Sequence, residues 1–167
     1  PVGNPNGGQA GDGMIAKNVM HQYVAGWDWI QPVRDRNTGI WDKVELERTG
    51  TINIRNPHVV TKVPGKRFPG GLQEACHIES SIEVQNASNK KVEAVLSVLI
   101  DNKRVFKELS LQPFEQKIIS MPEISIENPK LWWPNGYGEQ FLYDISFDIT
   151  LGESLSDTES LKTGIRK

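Results

Sequence analysis

Apolar and polar residues alternate along most of the chain after Thr51, as in strands with one face on a core and the other in solvent. Three stretches show this best, CHIESSIEVQN, VEAVLSVLI and QFLYDISFDITL. Their polar alternate positions include His77, Glu79, Glu83, Gln85, Asp144, Ser146 and Asp148. The apolar positions predicted to face one common core are Cys76, Ile78, Ile82, Val84, Val92, Ala94, Leu96, Val98, Ile100, Phe141, Tyr143, Ile145, Phe147, Ile149 and Leu151.

The spacing of these stretches predicts the fold class. Strands are expected at residues 56–63, 76–86, 92–100, 104–111, 114–121, 140–151 and 155–163. Helical periodicity persists nowhere for more than a turn or two. We therefore predict an all-β domain, an immunoglobulin-like β-sandwich of about seven strands. The chain lacks the two cysteines of an antibody-type core, so a domain of that kind is excluded.

The first 50 residues follow a different pattern. Residues 1–13 are polar and rich in glycine, which predicts a loop or a disordered lead-in. From Met14 to Leu46 the apolar residues are clustered, and only residues 39–46, GIWDKVEL, alternate. This predicts a strand, a long loop and a strand, too few pieces to close a sheet. We expect the tail of an upstream β domain, with a boundary at the Thr-Gly-Thr of residues 49–51.

Composition excludes several classes of partner. The formal net charge is -2, with 24% charged residues of both signs interspersed. Without a basic stripe, nucleic acid is not an expected partner. No apolar run approaches the roughly 20 residues of a membrane-spanning helix, so no membrane partner is expected either.

The sequence also predicts no metal site and no cofactor. Three histidines are scattered, and the neighbours Cys76 and His77 point to opposite faces of a strand. Neither a phosphate-binding loop, a dinucleotide fingerprint nor the G-x-S-x-G pattern occurs. The one N-glycosylation sequon, Asn86-Ala87-Ser88, is interpreted as a chance match.

All five tryptophans lie in two clusters outside the regular core strands: Trp27, Trp29 and Trp41, with Asp28 between the first two, and Trp132 with Trp133. An indole stacks on the apolar face of a sugar while a carboxylate accepts hydrogen bonds from its hydroxyls. The alternative is an aromatic cluster packed under a loop or between domains. From the residues alone, packing is the better interpretation for most of these rings.

The second cluster precedes a turn. Pro134 holds Trp133 extended, and Asn135-Gly136 turns the chain immediately afterwards. This favours packing over ligand binding for Trp132 and Trp133. Tyr143, early in the penultimate predicted strand, fits either a tyrosine corner or a buried tyrosine with some other hydrogen-bond partner.

Three segments carry a resemblance to a known family. GWDWIQPVRDRNTGIWDKVEL resembles the end of the N-terminal jelly-roll domain of family 2 glycoside hydrolases, in the branch of β-mannosidases, exo-β-glucosaminidases and mannosylglycoprotein endo-β-mannosidases. ENPKLWWPNGYGEQFLYDISFDI resembles the late loop and strand of the immunoglobulin-like domain that follows it. SDTESLKTGIRK resembles the strand that leads into the catalytic barrel. Residues 51–127 are supported by pattern only.

The resemblance implies a retaining β-glycosidase whose two catalytic carboxylates lie about 5 to 5.5 Å apart. In the family both are glutamates at the ends of barrel strands. This chain has no Asn-Glu dipeptide and no alternation of strands with helices. No catalytic residue is therefore assigned. We expect a fragment that is inactive alone: residues 1–50 as the jelly-roll tail, and 51–167 as the sandwich ending at the entry to a barrel.

The resemblance also implies roles and partners. Trp27 and Asp28 are expected to contact substrate in the full enzyme, a β-linked mannose or glucosamine. The residues expected to be structural or interdomain are Trp29, Trp41, Trp132, Trp133 and Tyr143. The other expected partners are the jelly-roll and barrel domains, and the family-level location is periplasmic or secreted. Two alternatives stay open, a free-standing carbohydrate-binding module and a protein-interaction sandwich.

Overall fold

The structure is a computed structural model that describes residue 40, residues 42–65 and residues 71–166. The predictions for residues 1–13 and for Trp27, Asp28, Trp29 and Trp41 lie outside the described residues. The chain divides into two units, Pro1–Glu47 and Arg48–Lys167. All of the described strands belong to the second unit. The strand predicted at residues 39–46 is wrong where it is described: residue 40 and residues 42–46 form no strand and are exposed, since no described strand pairs with them.

The described residues form eight strands and no helix. They are β1 Ile52–Lys62, β2 Cys76–Asn86, β3 Val92–Ile100, β4 Lys103–Leu111, β5 Gln116–Ser120, β6 Ile124–Ile126, β7 Tyr143–Leu151 and β8 Ser154–Thr163. Strand β6 was not predicted, because three residues are too few for alternation to be recognised. With no helix among the described residues, none of them forms a membrane-spanning helix.

All strand pairs in the described part of the chain are antiparallel, and they make two sheets. The first sheet has the order β1-β2-β5, with β6 also paired to β2. The second has the order β4-β3-β7-β8. The predicted all-β, immunoglobulin-like sandwich is therefore confirmed.

The core lies between the two sheets and contains the alternate apolar residues that the pattern predicted. Among the described residues, Phe147 is the largest side chain that is fully buried. It stands opposite Val98 of β3, which is also buried. Val92, Phe141 and Leu151 were predicted to face the core and are only partly buried, because each lies at or just beyond the end of a strand. Alternation was thus most reliable in the middle of each strand.

One edge of the sandwich, between β1 and β8, is joined by polar side chains. Strand β8 has an irregularity opposite Ile149 and Thr150, and both Ser156 and Asp157 are buried there. The Ser156 hydroxyl accepts a hydrogen bond from the N–H of Ile52 at 2.9 Å and donates one to its carbonyl at 2.7 Å. Asp157 Oδ2 accepts from the N–H of Ile54 at 2.8 Å. These bonds tie the first sheet to the second.

The opposite edge is bridged by lysines. Strands β4 and β5 belong to different sheets, so their facing backbones do not form a ladder. Three ammonium groups instead donate to backbone carbonyls across this edge: Lys103 to Ser125 at 2.5 Å, Lys107 to Ser120 at 2.7 Å and Lys117 to Ser110 at 2.9 Å. Charged side chains on edge strands also oppose pairing with a second chain.

Candidate functional site

The strand directions bring several chain segments together at one end of the sandwich, which we call the aromatic end. Tyr143, the first residue of β7, pairs with Thr163, the last of β8. The β3–β4 turn lies at the same end, since Ile100 pairs with both Lys103 and Ile145. The residues that precede β7 and follow β8 meet here. The aromatic end comprises residues 128–143, 99–103 and 164–166, together with the end of β1 and the start of β2.

Trp132 is held between the two chain segments of this end. Its N–H donates to the carbonyl of Ile165 at 2.8 Å, and it forms an isolated bridge with Gln140. The guanidinium of Arg166 lies over its ring, 5.4 Å from the ring centre, within cation–π distance. A side-chain carbon at Gly164 would lie only 3.1 Å from Trp132 Cβ, so glycine permits this close approach. Trp132 therefore anchors the residues that leave β8.

Trp133 closes a tight hairpin. Its N–H donates to the carbonyl of Glu139 at 2.9 Å, while the N–H of Tyr137 donates to the carbonyl of Pro134 at 3.0 Å. A side-chain carbon at Gly138 would lie 2.7 Å from Trp133 Cδ1, too close for any other residue. The Trp133 ring is half-buried against the core, whereas Tyr137 at the tip is 69% exposed. The predicted turn after Pro134 is thus present, and it positions both tryptophans.

Tyr143 is buried, and its hydroxyl accepts a hydrogen bond from the N–H of Lys130, thirteen residues upstream, at 2.8 Å. The bond resembles that of a tyrosine corner but spans a longer loop. The ring of Phe141 contacts Tyr143 edge-on at 4.8 Å, and Lys130 Nζ lies 4.7 Å from the centre of the Phe141 ring. Together these contacts fix the connection from β6 to β7.

Burial raises the pKa of Tyr143 above its ordinary value. The hydrogen bond from Lys130 opposes this rise, and the nearby Asp101 and Cys76 add to it. The phenol therefore stays neutral in the folded protein at pH values where an exposed tyrosine begins to ionise.

We expect the second unit to lose stability above about pH 10, where the unfolded tyrosine ionises first. Below that pH, Tyr143 keeps its proton in both the folded and the unfolded state, so its contribution to the free energy of unfolding is fully present. This contribution is lost as the pH rises through the raised pKa of the folded state. Urea unfolding of the wild type and Tyr143→Phe, between pH 8 and 11, tests this. The free energy of unfolding of Tyr143→Phe should decline less steeply with pH than that of the wild type.

Tyr137→Phe is the matched control, because Tyr137 is exposed at the tip of the hairpin. Its free energy of unfolding should decline with pH as steeply as that of the wild type, because this variant keeps the buried Tyr143. If the free energy of unfolding declined equally in Tyr143→Phe and the wild type, burial of Tyr143 would not be the cause of the decline.

Among the surface depressions lined by described residues, two lie at the aromatic end. The first, of about 460 Å³, is lined by residues 61–64 and by His77, Glu123 and Arg166. His77 Nδ1 lies 2.8 Å from Glu123 Oε1 within it. The second, of about 370 Å³, is lined by Leu99, Asp101, Asn102, Phe141, Leu142, Tyr143, Asp144, Ile145, Ser146 and Ser160. Both are open, and each combines apolar and polar side chains.

The aromatic end combines aromatic rings, cations and polar backbone groups. Within the described ranges, no group of three or more His, Cys, Asp or Glu residues could hold a metal ion. The sequence located Trp132, Trp133 and Tyr143, and the structure brings all three to the same end. The sequence did not reveal the roles of Arg166 or Phe141. Nothing in the residues around Trp132 indicates that Arg166, thirty-four positions later in the chain, lies over its ring.

Comparison with known proteins gives a consistent result. The family model described as "Glycosyl hydrolases family 2" matches residues 52–166. The mannosylglycoprotein endo-β-mannosidase of Lilium longiflorum is 37% identical over 174 aligned residues, which cover 98% of this chain and 18% of that protein. An exo-β-D-glucosaminidase of Amycolatopsis orientalis is 29% identical over 142 residues, which cover 84% of this chain and 13% of that protein.

Solved structures of two enzymes superpose on this chain. An exo-chitosanase from Amycolatopsis orientalis superposes with a TM-score of 0.66 at 26% identity, covering 72% of this chain and 14% of the other. A β-glucuronidase from Bacteroides uniformis superposes with a TM-score of 0.60 at 18% identity, covering 71% and 15%, and shows likeness of fold only. This chain spans less than a fifth of the length of each of these proteins.

Proposed function

This chain belongs to glycosyl hydrolase family 2, and we propose that it is a non-catalytic region of a larger retaining β-glycosidase that acts on β-mannosides or β-glucosaminides. In that protein the sandwich braces the catalytic part and helps to shape the substrate site. The activity, the substrate and the other domains are all properties of the longer protein.

The observation that carries this proposal is the extent of the match to the endo-β-mannosidase. The similarity runs through 98% of this chain, yet that is only 18% of the relative. Two exo-β-D-glucosaminidases match over 84% and 89% of this chain and over 13% and 17% of their own length, which supports β-glucosaminides as the second substrate class. In a retaining mechanism two carboxylates act as nucleophile and acid/base, and we assign neither to this chain.

The aromatic end supports a bracing role. Arg166 on Trp132, together with the backbone bond from Trp132 to Ile165, fixes the direction in which the chain leaves β8. We propose that Trp132 and Trp133 are structural residues beside a domain interface and that Tyr143 is structural. For residues outside the described ranges, we propose an interdomain role for Trp29 and Trp41 within a jelly-roll tail of residues 1–50.

The first test is an assay of the purified chain with aryl β-mannosides and aryl β-glucosaminides. We expect no hydrolysis by this chain, although a cooperative unfolding transition should show that it is folded. The longer protein that contains it should hydrolyse at least one of these substrates. Turnover by the purified chain would overturn the non-catalytic assignment, and a saturable change in tryptophan fluorescence with manno- or gluco-oligosaccharides would favour a free-standing binding module.

We further propose that Trp27 and Asp28 contact the sugar in the longer protein. Asp28→Ala should then lower kcat/KM by roughly 10- to 150-fold, which corresponds to the loss of a charged hydrogen bond of about 1.5 to 3 kcal/mol. Asp42→Ala is the matched control, because Asp42 is an exposed aspartate close by in sequence. Unchanged kinetics in Asp28→Ala would place Asp28 among the structural residues.

A further inference from the structure

The sequon Asn86-Ala87-Ser88 has a structural role that the sequence did not reveal. Asn86 is the last residue of β2, and its side chain is completely buried. Asparagine is mostly an exposed residue, so a fully buried one needs partners for its amide. The structure provides them within the two turns that meet at this end of β2.

Both polar atoms of the Asn86 side chain, Nδ2 and Oδ1, make hydrogen bonds. Nδ2 donates to the carbonyl of Lys90 at 2.8 Å and to the carbonyl of Gln112 at 2.9 Å. Oδ1 accepts from the N–H of Ser88 at 3.0 Å and from its hydroxyl at 2.8 Å. An amide nitrogen carries two hydrogens, so both donors of Asn86 are already engaged.

These bonds join two separate turns. The Asn86 N–H donates to the carbonyl of Glu115 at 2.9 Å, and the N–H of Phe114 donates to the carbonyl of Ser88 at 3.1 Å. The next residue, Ala87, donates its N–H to the carbonyl of Thr51 at 2.9 Å. The turn after β2 and the turn after β4 therefore meet around the Asn86 side chain, and the residue before β1 is bonded to the adjacent backbone.

We propose that the folded sandwich excludes N-glycosylation at Asn86, although the sequence there satisfies the acceptor rule. Glycan transfer from a lipid-linked oligosaccharide bonds the anomeric carbon of the first sugar to Nδ2. One Nδ2 proton is lost, and the lipid diphosphate leaves. The modified nitrogen keeps a single donor, so either the Lys90 or the Gln112 carbonyl loses its hydrogen bond from Asn86 Nδ2. The sugar also requires space that the two turns occupy, so a glycan and this fold are mutually exclusive.

The turn provides a matched control three residues further on. Asn89 is exposed, and the substitution Lys91→Thr makes residues 89–91 a second sequon. Lys91 is exposed and pairs with Glu93 on the surface, at 2.9 Å, so its loss should cost little stability. Both asparagines lie at or within the connection between β2 and β3, and they differ in burial.

The experiment is secretion of the wild type and Lys91→Thr from a eukaryotic cell, followed by peptide mass spectrometry of the folded, protease-resistant fraction. We expect glycan on Asn89 of the variant and none on Asn86 of either protein. Folded, protease-resistant protein that carries a glycan on Asn86 would overturn the proposal.

A second measurement does not depend on secretion. Purified oligosaccharyltransferase and a lipid-linked oligosaccharide are given either the folded chain or a peptide of residues 83–91. The peptide should be glycosylated at Asn86 and the folded chain should not. Equal transfer to both would show that the amide is accessible and would also overturn the proposal.

Discussion

Replacing Asn86 with alanine is expected to lower the free energy of unfolding by about 3 to 4 kcal/mol, since four side-chain hydrogen bonds are lost at about 1 kcal/mol each. Two backbone carbonyls, those of Lys90 and Gln112, also lose the donor that the side chain provides. Alanine cannot supply a replacement, and the site is fully buried. The effect should therefore lie in the upper part of the range for single substitutions.

Urea unfolding followed by tryptophan fluorescence or circular dichroism measures this loss. Asn89→Ala is the control, an exposed asparagine in the same turn, and it should change stability by no more than about 0.5 kcal/mol. If Asn86→Ala were as stable as Asn89→Ala, then Asn86 would not hold the two turns together.

Replacing Asp157 with alanine is expected to cost about 3 kcal/mol, because its carboxylate accepts two backbone hydrogen bonds and bonds to charged groups contribute about 1.5 to 3 kcal/mol each. Oδ2 accepts from the N–H of Ile54 in β1, and Oδ1 accepts from the N–H of Thr158 in β8 at 2.8 Å. The N–H of Ile54 is buried and would be left without an acceptor. The loss should loosen the junction between the two sheets.

Hydrogen exchange makes the second prediction specific to that junction. The amide of Ile54 should exchange faster in Asp157→Ala, whereas exchange of amides in the middle of β3 should change only with global stability. Asp144→Ala is the control, an exposed aspartate on the neighbouring strand whose pair with Lys162 at 3.6 Å contributes little. Faster exchange at Ile54 in both variants, or in neither, would contradict the assignment.

The aromatic end was partly predictable. Pro134 and the Asn-Gly pair after it predicted a turn beside the tryptophans, since proline and glycine act on the backbone locally. The position of Arg166 over Trp132 depends on the pairing of β7 with β8, which no local pattern specifies. The prediction that Trp27 and Asp28 contact a sugar still rests on resemblance and awaits the kinetic test.

What the sequence by itself determined is the fold class and most of the core, because alternation is a local property and burial of an apolar face stabilises any strand that has one. What only the tertiary structure decided is which polar residues are buried with their hydrogen bonds satisfied, among them Asn86, Ser156 and Asp157. Their hydrogen-bond partners lie on other strands and turns, up to about a hundred positions away. A polar side chain is stable inside only where such partners converge, and that convergence exists only once both sheets have formed.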